Sequence, residues 1–339
     1  MKSSNYKLQI NLPSLSSYRQ DFVSQGINLP LKTVPFEKEG LLSKLPSPLN
    51  SKSGWPWNIE TLIATELTYD NELSYPKISI VMPSYNQGDY IEETIRSVLL
   101  QNYPNLEFII CDGGSSDKTK EVLEKYSPWL SFWQSQKDSG QGHAINLGFS
   151  IASGDYFGWI NSDDFYLPDC FYQVIKNFSD FNKDFVYGDS LALNENDKSL
   201  NYYQSFLVID RYLRFGGIIP SHAAFWKKNI HQPIWEDLIC AIDAELWLRL
   251  VVGRSKSHLK FPLAVARIQP EAKSVNERYQ KLWEDDYNEK IWRAYDHVKF
   301  WKLRCYEFRC VQRIYKNLIK TIPKQNLQNI IQRDDITLF

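Results

Sequence analysis

Cysteine is scarce and unpatterned in this chain. The five cysteines are an odd number, lie far apart and form no C-x-x-C pair; they are Cys111, Cys170, Cys240, Cys305 and Cys310. That spacing argues against a disulfide framework and against a zinc site. We therefore expect reduced thiols and a cytoplasmic protein.

Long hydrophobic runs are absent as well. No stretch approaches the roughly 18 apolar residues that a membrane-spanning helix needs. Residues 1–17 lack the apolar segment of a signal peptide. We expect a protein that is soluble or, at most, peripheral at the inner face of the membrane.

Charge of one sign is not in excess. The chain has 39 basic and 40 acidic side chains, a net charge of −1. A dedicated nucleic-acid binder normally carries a strong basic excess, so we expect no nucleic-acid partner. The hydrophobic share of 43% is that of an ordinary globular protein and excludes intrinsic disorder.

Aromatic residues are abundant instead. Together, 11 Trp, 20 Tyr and 18 Phe make up 14% of the 339 residues. Such an excess suits ring-shaped ligands such as bases and sugars, but it equally suits interfaces and membrane surfaces.

The chain divides into three parts. Residues 1–75 are rich in proline and serine, which predicts an irregular arm that Trp55 and Trp57 pack onto the next domain. Residues 76–275 alternate strand and helix patterns in units of about 25–30 residues, which predicts an α/β fold with a mostly parallel sheet flanked by helices. Residues 276–339 are predicted to form a helical appendage.

Polar loops follow the predicted strands. In open parallel sheets, ligands bind at the carboxyl ends of the strands. Four loops with turn-forming and acidic residues gather at this edge: 83–86, 112–117, 138–143 and 161–164. We expect a ligand site there.

The loop at Asp112 is rich in glycine and carries two aspartates. Carboxylates repel phosphate, so this loop is better suited to the hydroxyl and N–H groups of a nucleoside. Ser115 or Ser116 is expected to cap the helix that follows, which would leave Asp112 free.

Two adjacent carboxylates, Asp163 and Asp164, leave a buried strand. Such a pair is costly unless a cation lies between the carboxylates. Oxygen ligands favour Mg²⁺ or Mn²⁺, with diphosphate oxygens completing the coordination. The alternative is a solvated turn before Pro168.

The segments 80–119 and 139–169 resemble the family 2 glycosyltransferases of the GT-A fold. Their most telling parts are IVMPSYN, CDGGSSD, SGQGHAINLG and WINSDD, in this order. The resemblance continues through 219–229 and 241–250, so it covers roughly 76–275. It implies a GT-A, Rossmann-like sheet and transfer of a sugar from a nucleotide donor.

The resemblance assigns roles position by position. Nucleotide-sugar contacts fall on Pro83, Ser84, Tyr85, Asn86, Asp112, Asn161 and Asp163. It assigns binding of the divalent metal to Asp163 and Asp164, and the role of catalytic base to Asp243. The chain departs from the family at four positions: Gly113, Asn161 and Ile242 replace frequent acids, and Gln269 replaces a histidine.

Two histidines are further candidates for the donor site. His143 stands at the head of a predicted helix, where the N-terminus could meet donor phosphate. His222, in a predicted strand, could contact the acceptor or the diphosphate, with a core histidine as the alternative. Trp159 and Trp247 are expected to be core residues.

The implied chemistry is inverting transfer. A divalent cation offsets charge on the departing nucleotide, and a single carboxylate deprotonates the acceptor hydroxyl. The donor is expected to be UDP-linked and the acceptor a glycan or a lipid-linked glycan in polysaccharide assembly. For Asp243, the alternative role is to satisfy the helix dipole.

Two other functions stay open. The departures at positions 161, 242 and 269 suggest a catalytically inactive relative that binds glycan or nucleotide-sugar as a scaffold. A nucleotidyltransferase would usually need a glycine-rich, basic phosphate loop after the first strand, which residues 83–86 do not provide.

The C-terminal segment is basic and aromatic. Residues 290–320 hold nine basic and two acidic side chains, interleaved with seven aromatic ones. Three interpretations stay open for 286–322: peripheral contact with anionic lipid, packing on the catalytic domain, and a homo-oligomer contact.

Overall fold

The computed structural model describes residues 10–48, 52–62, 75–203, 205, 208, 210, 213, 219–295, 307, 309–311, 313 and 314. The strands are β1 (Ile78–Ser84), β2 (Leu106–Asp112), β3 (Phe132–Ser135), β4 (Tyr156–Trp159), β5 (Phe165–Tyr166), β6 (Phe185–Asn194), β7 (Leu200–Tyr203), β8 (Ala224–Lys227) and β9 (Lys256–Ile268). The longer helices are α1 (Leu15–Ser24), α2 (Ile91–Leu99), α3 (Thr119–Tyr126), α4 (Gln141–Ile151), α5 (Cys170–Phe181) and α6 (Ile242–Leu250). Near the C-terminus, α7 (Gln280–Glu284), a π-helix (Asp285–Ile291) and α8 (Trp292–Ala294) follow one another.

These strands form one mixed sheet in the order β3-β2-β1-β4-β8-β6-β9-β5, with β7 paired to β6. The first four positions are parallel, as predicted. Strand β8 is antiparallel to both of its neighbours, whereas β6 and β9 pair in parallel. The mostly parallel α/β class is therefore confirmed.

The pleat of β1 shows why helices cover both faces. Ile80 and Met82 join the hydrophobic cluster that includes side chains of α2, α3 and α5. Val81, between them, joins the cluster that includes side chains of α4 and α6. Successive side chains of a strand point to opposite faces, so a strand that is buried along its whole length must be covered on both sides.

The N-terminal arm is mostly irregular where it is described, but it contains one helix that we did not predict. Helix α1 begins after Pro13, and Ser14 caps it by accepting from the backbone N–H of Ser17 at 3.3 Å. Trp55 is 1% exposed, and its indole N–H donates to the carbonyl of Tyr166 at 2.7 Å. The predicted packing of the tryptophan pair is confirmed, whereas the boundary at residue 75 stays a prediction.

The described part of the C-terminal segment packs on the rest of the chain. Ile291 and Ala294 belong to the same cluster as α4 and α6, and the Tyr295 hydroxyl is hydrogen-bonded to Glu245. This supports the packing interpretation for residues 280–295. Most of the basic stretch after residue 295 lies outside the described residues, and so does Cys305. Within the described part of the chain, no helix has the length and apolar character needed to cross a membrane.

Candidate active site

Three of the four predicted loops meet at one edge of the sheet. Strands β2, β1 and β4 are neighbours and parallel, so their carboxyl ends lie side by side. Loops 84–86, 112–117 and 161–164 therefore open onto the same space. Loop 138–143 enters α4, whose Gln141 contacts the third of these loops.

Asp112 is not free, contrary to our expectation. Its carboxylate is 1% exposed and accepts hydrogen bonds from the Ser115 N–H at 2.9 Å and from two hydroxyls, those of Ser115 at 2.5 Å and Ser135 at 2.6 Å. The predicted capping by Ser115 or Ser116 is also wrong, because α3 begins after Lys118 without a side-chain cap. Ser115 is used to orient Asp112 instead.

The loop after β1 is tied to the loop after β2. Asn86 has a positive φ of 52° and donates its N–H to the Ser115 hydroxyl at 2.7 Å. Its side-chain oxygen accepts from the Ser116 N–H at 2.9 Å. Pro83 and Ser84 are buried at the end of β1, and Tyr85 is 63% exposed. Tyr85 is thus the side chain of this loop that is available to a ligand.

Gly113 lies against a carboxylate from another loop. A Cβ at this position would lie 3.0 Å from Oδ1 of Asp138. Burial raises the pKa of Asp138. The place where the family often has a second aspartate is therefore next to an acid that we did not predict as a site residue.

The two carboxylates after β4 are held differently. Asp164 is 5% exposed, and it accepts from the Arg267 N–H at 3.0 Å and from the Asn161 amide at 3.2 Å. Asp163 is half-buried and accepts from the Gln269 amide at 3.2 Å. Burial raises the pKa of both carboxyls, and the charge of Asp164 adds to the effect at Asp163.

Arg267 is a cation whose charge acts on both carboxyls of this pair. Its guanidinium donates to Glu93 at 2.8 Å, to Glu195, and to the backbone carbonyl of Asp163 at 2.9 Å. The guanidinium is thus shared by three acceptors and does not form an ion pair with either carboxylate. A metal cation bound at Asp163 and Asp164 would therefore meet negative charge that Arg267 only partly offsets.

His222 lies beside Asp164. We had expected it in a strand, and that prediction is wrong. It belongs to a 3₁₀ turn, Ser221–Ala223, directly before β8. Its Nδ1 is 3.8 Å from Oδ2 of Asp164, and its Nε2 is buried without a hydrogen-bond partner. Burial lowers the pKa of His222 to about 4, so the ring is neutral and Nε2 can offer a lone pair.

Asp243 is the second residue of α6. It is half-buried, and its Oδ1 accepts from the N–H of Ala244 at 2.8 Å. Burial raises its pKa to about 6, and the positive charge of Lys273 opposes that rise. The other face of α6 is apolar as predicted, since Leu246, Trp247 and Leu250 are buried. Trp247 stacks on Trp159, with ring centroids 6.1 Å apart, which confirms both as core residues.

Lys273 is a cation on which the charges of Asp163 and Asp243 both act, and it was missed by sequence reasoning. Its ammonium donates to Gln141 Oε1 at 2.8 Å, and the Gln141 amide donates to Asn161 Oδ1 at 2.7 Å. Burial lowers the pKa of Lys273, while the charges of Asp163 and Asp243 both raise it. No local motif marks this lysine, because its role depends on where residues 269–276 fold back.

His143 faces a different group. Its Nδ1 is 3.3 Å from Glu236, which also accepts from the Tyr18 hydroxyl of α1 at 3.0 Å and from the Asn146 amide at 2.8 Å. The contact with donor phosphate stays a prediction. Among the described residues, no group of three His, Cys, Asp or Glu side chains is arranged to hold a metal ion by itself.

Comparison with known proteins identifies the family. The sequence model described as "Glycosyl transferase family 2" matches residues 79–233. An uncharacterized glycosyltransferase of Rickettsia prowazekii is 34% identical over 225 residues, which span 61% of this chain and 70% of that protein. The chain belongs to glycosyltransferase family 2.

Other family 2 relatives differ in length. The glycosyltransferase GlyG of Streptococcus pneumoniae is 29% identical over 158 residues, 45% of this chain and 52% of that protein. The chain spans only 22% to 33% of the length of four Rickettsia relatives.

The fold also matches a solved structure. The crystal structure of S. aureus TarS 1–349 in complex with UDP-GlcNAc has a TM-score of 0.50 and 17% identity, and covers 66% of this chain and 73% of that chain. The GT-A fold of this family 2 glycosyltransferase is therefore confirmed.

Proposed function

We propose that this protein is an inverting glycosyltransferase that moves a sugar from a nucleotide-diphosphate donor to an acceptor hydroxyl. The observation that carries the proposal is the line of hydrogen bonds from Asn161 through Gln141 to Lys273, a cation on which the charges of Asp163 and Asp243 both act. A leaving-group site and a base on the same edge of the sheet are the two requirements of sugar transfer.

Asp243 is the general base in this proposal. Its pKa of about 6 keeps it ionised at neutral pH and leaves it more basic than an ordinary aspartate. A base with a pKa near the working pH transfers protons most effectively. It takes the proton of the acceptor hydroxyl as the oxygen attacks the anomeric carbon. The nucleotide leaves from the opposite face, so the configuration at that carbon inverts.

The nucleoside binds at the β1–β2 end of the site. The Asp112 carboxylate is held by the hydroxyls of Ser115 and Ser135 at the start of loop 112–117. A carboxylate at this place is a suitable acceptor for the hydroxyl or N–H groups of a ribose or base. Tyr85 offers an exposed ring for stacking. We propose a UDP-linked donor, and a glycan or lipid-linked glycan in polysaccharide assembly as the acceptor, with the reaction at the cytoplasmic side of the membrane.

The residues present fit a divalent cation, Mn²⁺ or Mg²⁺. Asp163 and Asp164 are adjacent carboxylates of raised pKa, and His222, whose Nδ1 is 3.8 Å from Asp164, has a buried Nε2 with no partner among the described residues. Asp163 and Asp164 would hold the ion together with donor diphosphate oxygens, since no three acidic, histidine or cysteine side chains of the described residues are grouped to hold it by themselves. When bound, the ion offsets the negative charge of the departing nucleotide.

The test is turnover with a donor panel. Purified full-length protein is incubated with UDP-, GDP-, dTDP- and CMP-sugars plus Mn²⁺, and nucleotide release is measured with and without glycan acceptors. Asp243→Asn should lower transfer by about 10²–10⁴-fold while donor binding persists, because only the base is lost.

Asp237→Asn is the matched control. This neighbouring acid accepts from the Trp235 indole at 2.9 Å and has no place in the proposed chemistry. If transfer is lost in Asp237→Asn and retained in Asp243→Asn, Asp243 is not the general base. Donor binding without nucleotide release from any sugar in the wild type would favour the scaffold function.

A further inference from the structure

Asp286 is a fully buried carboxylate that the proposed chemistry does not use. It lies in the π-helix Asp285–Ile291 of the C-terminal segment and is 0% exposed. A buried charge is costly unless it is paired and hydrogen-bonded, so its partners indicate what it is for.

The carboxylate binds the backbone directly before α6. Its Oδ2 accepts from three successive amides, those of Ile239 at 2.9 Å, Cys240 at 2.7 Å and Ala241 at 3.1 Å. Its Oδ1 accepts from Lys290 at 2.8 Å, one turn further along the same helix. Three converging amides and one ammonium satisfy the charge completely.

These three amides lead into the base. Ala241 is the N-cap residue of α6 and gives it no side-chain cap, and Asp243 is only two residues further on. The loop is therefore fixed from outside its own helix. Lys273 holds it from the other side by donating to the carbonyl of Ile239 at 2.6 Å.

We propose that Asp286 is a positioning residue that sets the orientation and the solvation of Asp243. This inference rests on the proposed role of Asp243 as general base. It makes residues 276–295 part of the active site, with the C-terminal segment locking the loop that presents the base.

The first test is a pair of variants at this position. Asp286→Ala leaves the three amides without an acceptor, and kcat should fall by about 10²-fold with KM for the donor unchanged, because a base displaced by about 1 Å costs that much. Asp286→Asn keeps one oxygen acceptor at the same place and should retain a larger share of kcat. Glu289→Gln is the control, since Glu289 lies on the same helix, is exposed, and forms an ion pair with the exposed Arg293.

The pH profile separates positioning from general destabilisation. The ionisable groups that interact with Asp243 are Lys273 from the 269–276 loop and Tyr287 from the π-helix, and the charge of Asp286 acts on both of these groups. In Asp286→Asn the loop admits water, and this lowers the pKa of Asp243 because burial is what raises it. The acidic limb of kcat should therefore move to lower pH, whereas a smaller folded fraction would lower kcat without moving the limb.

Hydrogen exchange gives a readout that needs no turnover. In both variants, amides 239–243 should exchange faster while those of β1 and β2 keep their protection. If exchange in this loop is unchanged, or if Asp286→Ala retains full kcat, the inference is overturned. If the wild type transfers no sugar while exchange still rises in the variants, the proposed function fails and Asp286 is an anchor of the loop alone.

Discussion

Burial gives the carboxyls of this site their chemistry. An ordinary exposed aspartate is a weak base with a pKa near 4, and Asp243 is shifted to about 6 because it is buried at the head of α6. Asp112 is held instead by hydroxyls and a backbone amide. The same residue type thus serves as a base in one place and as a fixed binding group in another.

The raised pKa predicts a pH dependence of transfer. Asp243 acts only as the carboxylate, so kcat should rise with pH through about 6 and level off above it. Well below that value each unit of pH should cost about tenfold, since the active fraction then follows the proton concentration. The measurement is kcat from pH 5 to 8 at saturating donor and Mn²⁺. A flat profile over this range would exclude Asp243 as the titrating base.

Without the family resemblance that assigned Asp243, the site residues could be predicted from the sequence only where they follow strands. Asp112, Asp163 and Asp164 were predicted from their places after apolar runs, and the structure puts them at one edge. Lys273 and Asp286 could not be found in this way. Asp286 contacts Cys240, 46 positions away, and Lys273 contacts Gln141, 132 positions away. Nothing in the local sequence of either residue differs from a solvated loop or helix.

At the scale of elements, α4 and β1 are in close contact. Gly148 of α4 faces Val81 of β1, and a Cβ at this glycine would overlap the Val81 side chain, with Cγ2 only 3.1 Å away. The N-terminal end of α4 carries Gln141, so this contact sets the distance between the helix and the acidic pair.

Gly148→Ala should therefore destabilise the protein. Overpacking of a filled core costs about 1–3 kcal/mol, more than the alanine gains through its better helix propensity. The free energy of unfolding is measured in denaturant for the single variant and for Gly148→Ala combined with Val81→Ala. The double variant should be less unstable than the sum of the two single ones, since the smaller residue at 81 makes room. Additive effects would show that the two side chains do not meet.

The regular strands and helices of the sheet domain were easier to predict than helix α1 and the turn at His222. The strands β1, β2, β4 and β6 and the helices α2, α3, α4 and α6 follow the apolar periodicity of the sequence, whereas α5 was not predicted. Helix α1 was missed because the surrounding prolines favour irregular backbone, although Ser14 after Pro13 is a helix start signal. The turn at His222 was taken for strand because its neighbours are apolar and lead into β8.

At the scale of the whole molecule, the two flanking segments are bound to the central domain by polar anchors. Arg96 of α2 is 1% exposed and donates to the carbonyls of Pro46, Pro56 and Trp57 at 2.8–2.9 Å. One buried guanidinium thus holds the arm in three places, as Asp286 holds the loop before α6.

Arg96→Met should release the arm and lower stability. Three backbone carbonyls lose a charged hydrogen-bond donor. A hydrogen bond to a charged group contributes about 1.5–3 kcal/mol, and water that reaches the freed carbonyls offsets part of the loss. We expect a loss of about 3 kcal/mol in the free energy of unfolding and faster proteolysis within residues 40–60. Lys120→Met is the control, because Lys120 is exposed and its carboxylate partner Glu124 is 3.8 Å away. Unchanged stability and protection would show that the tryptophans alone hold the arm.

The place of β9 in the sheet has a consequence for synthesis of the chain. This late strand, residues 256–268, lies between β6 and β5, and it also carries Arg267 beside the acidic pair. A nascent chain that ends before residue 256 has made β5 and β6 but leaves both without their shared partner, with unpaired edges open to other chains. The sheet can close only after residue 268 has emerged. Completion of the sheet and assembly of the acidic centre are thus one event, and a prematurely ended chain has neither.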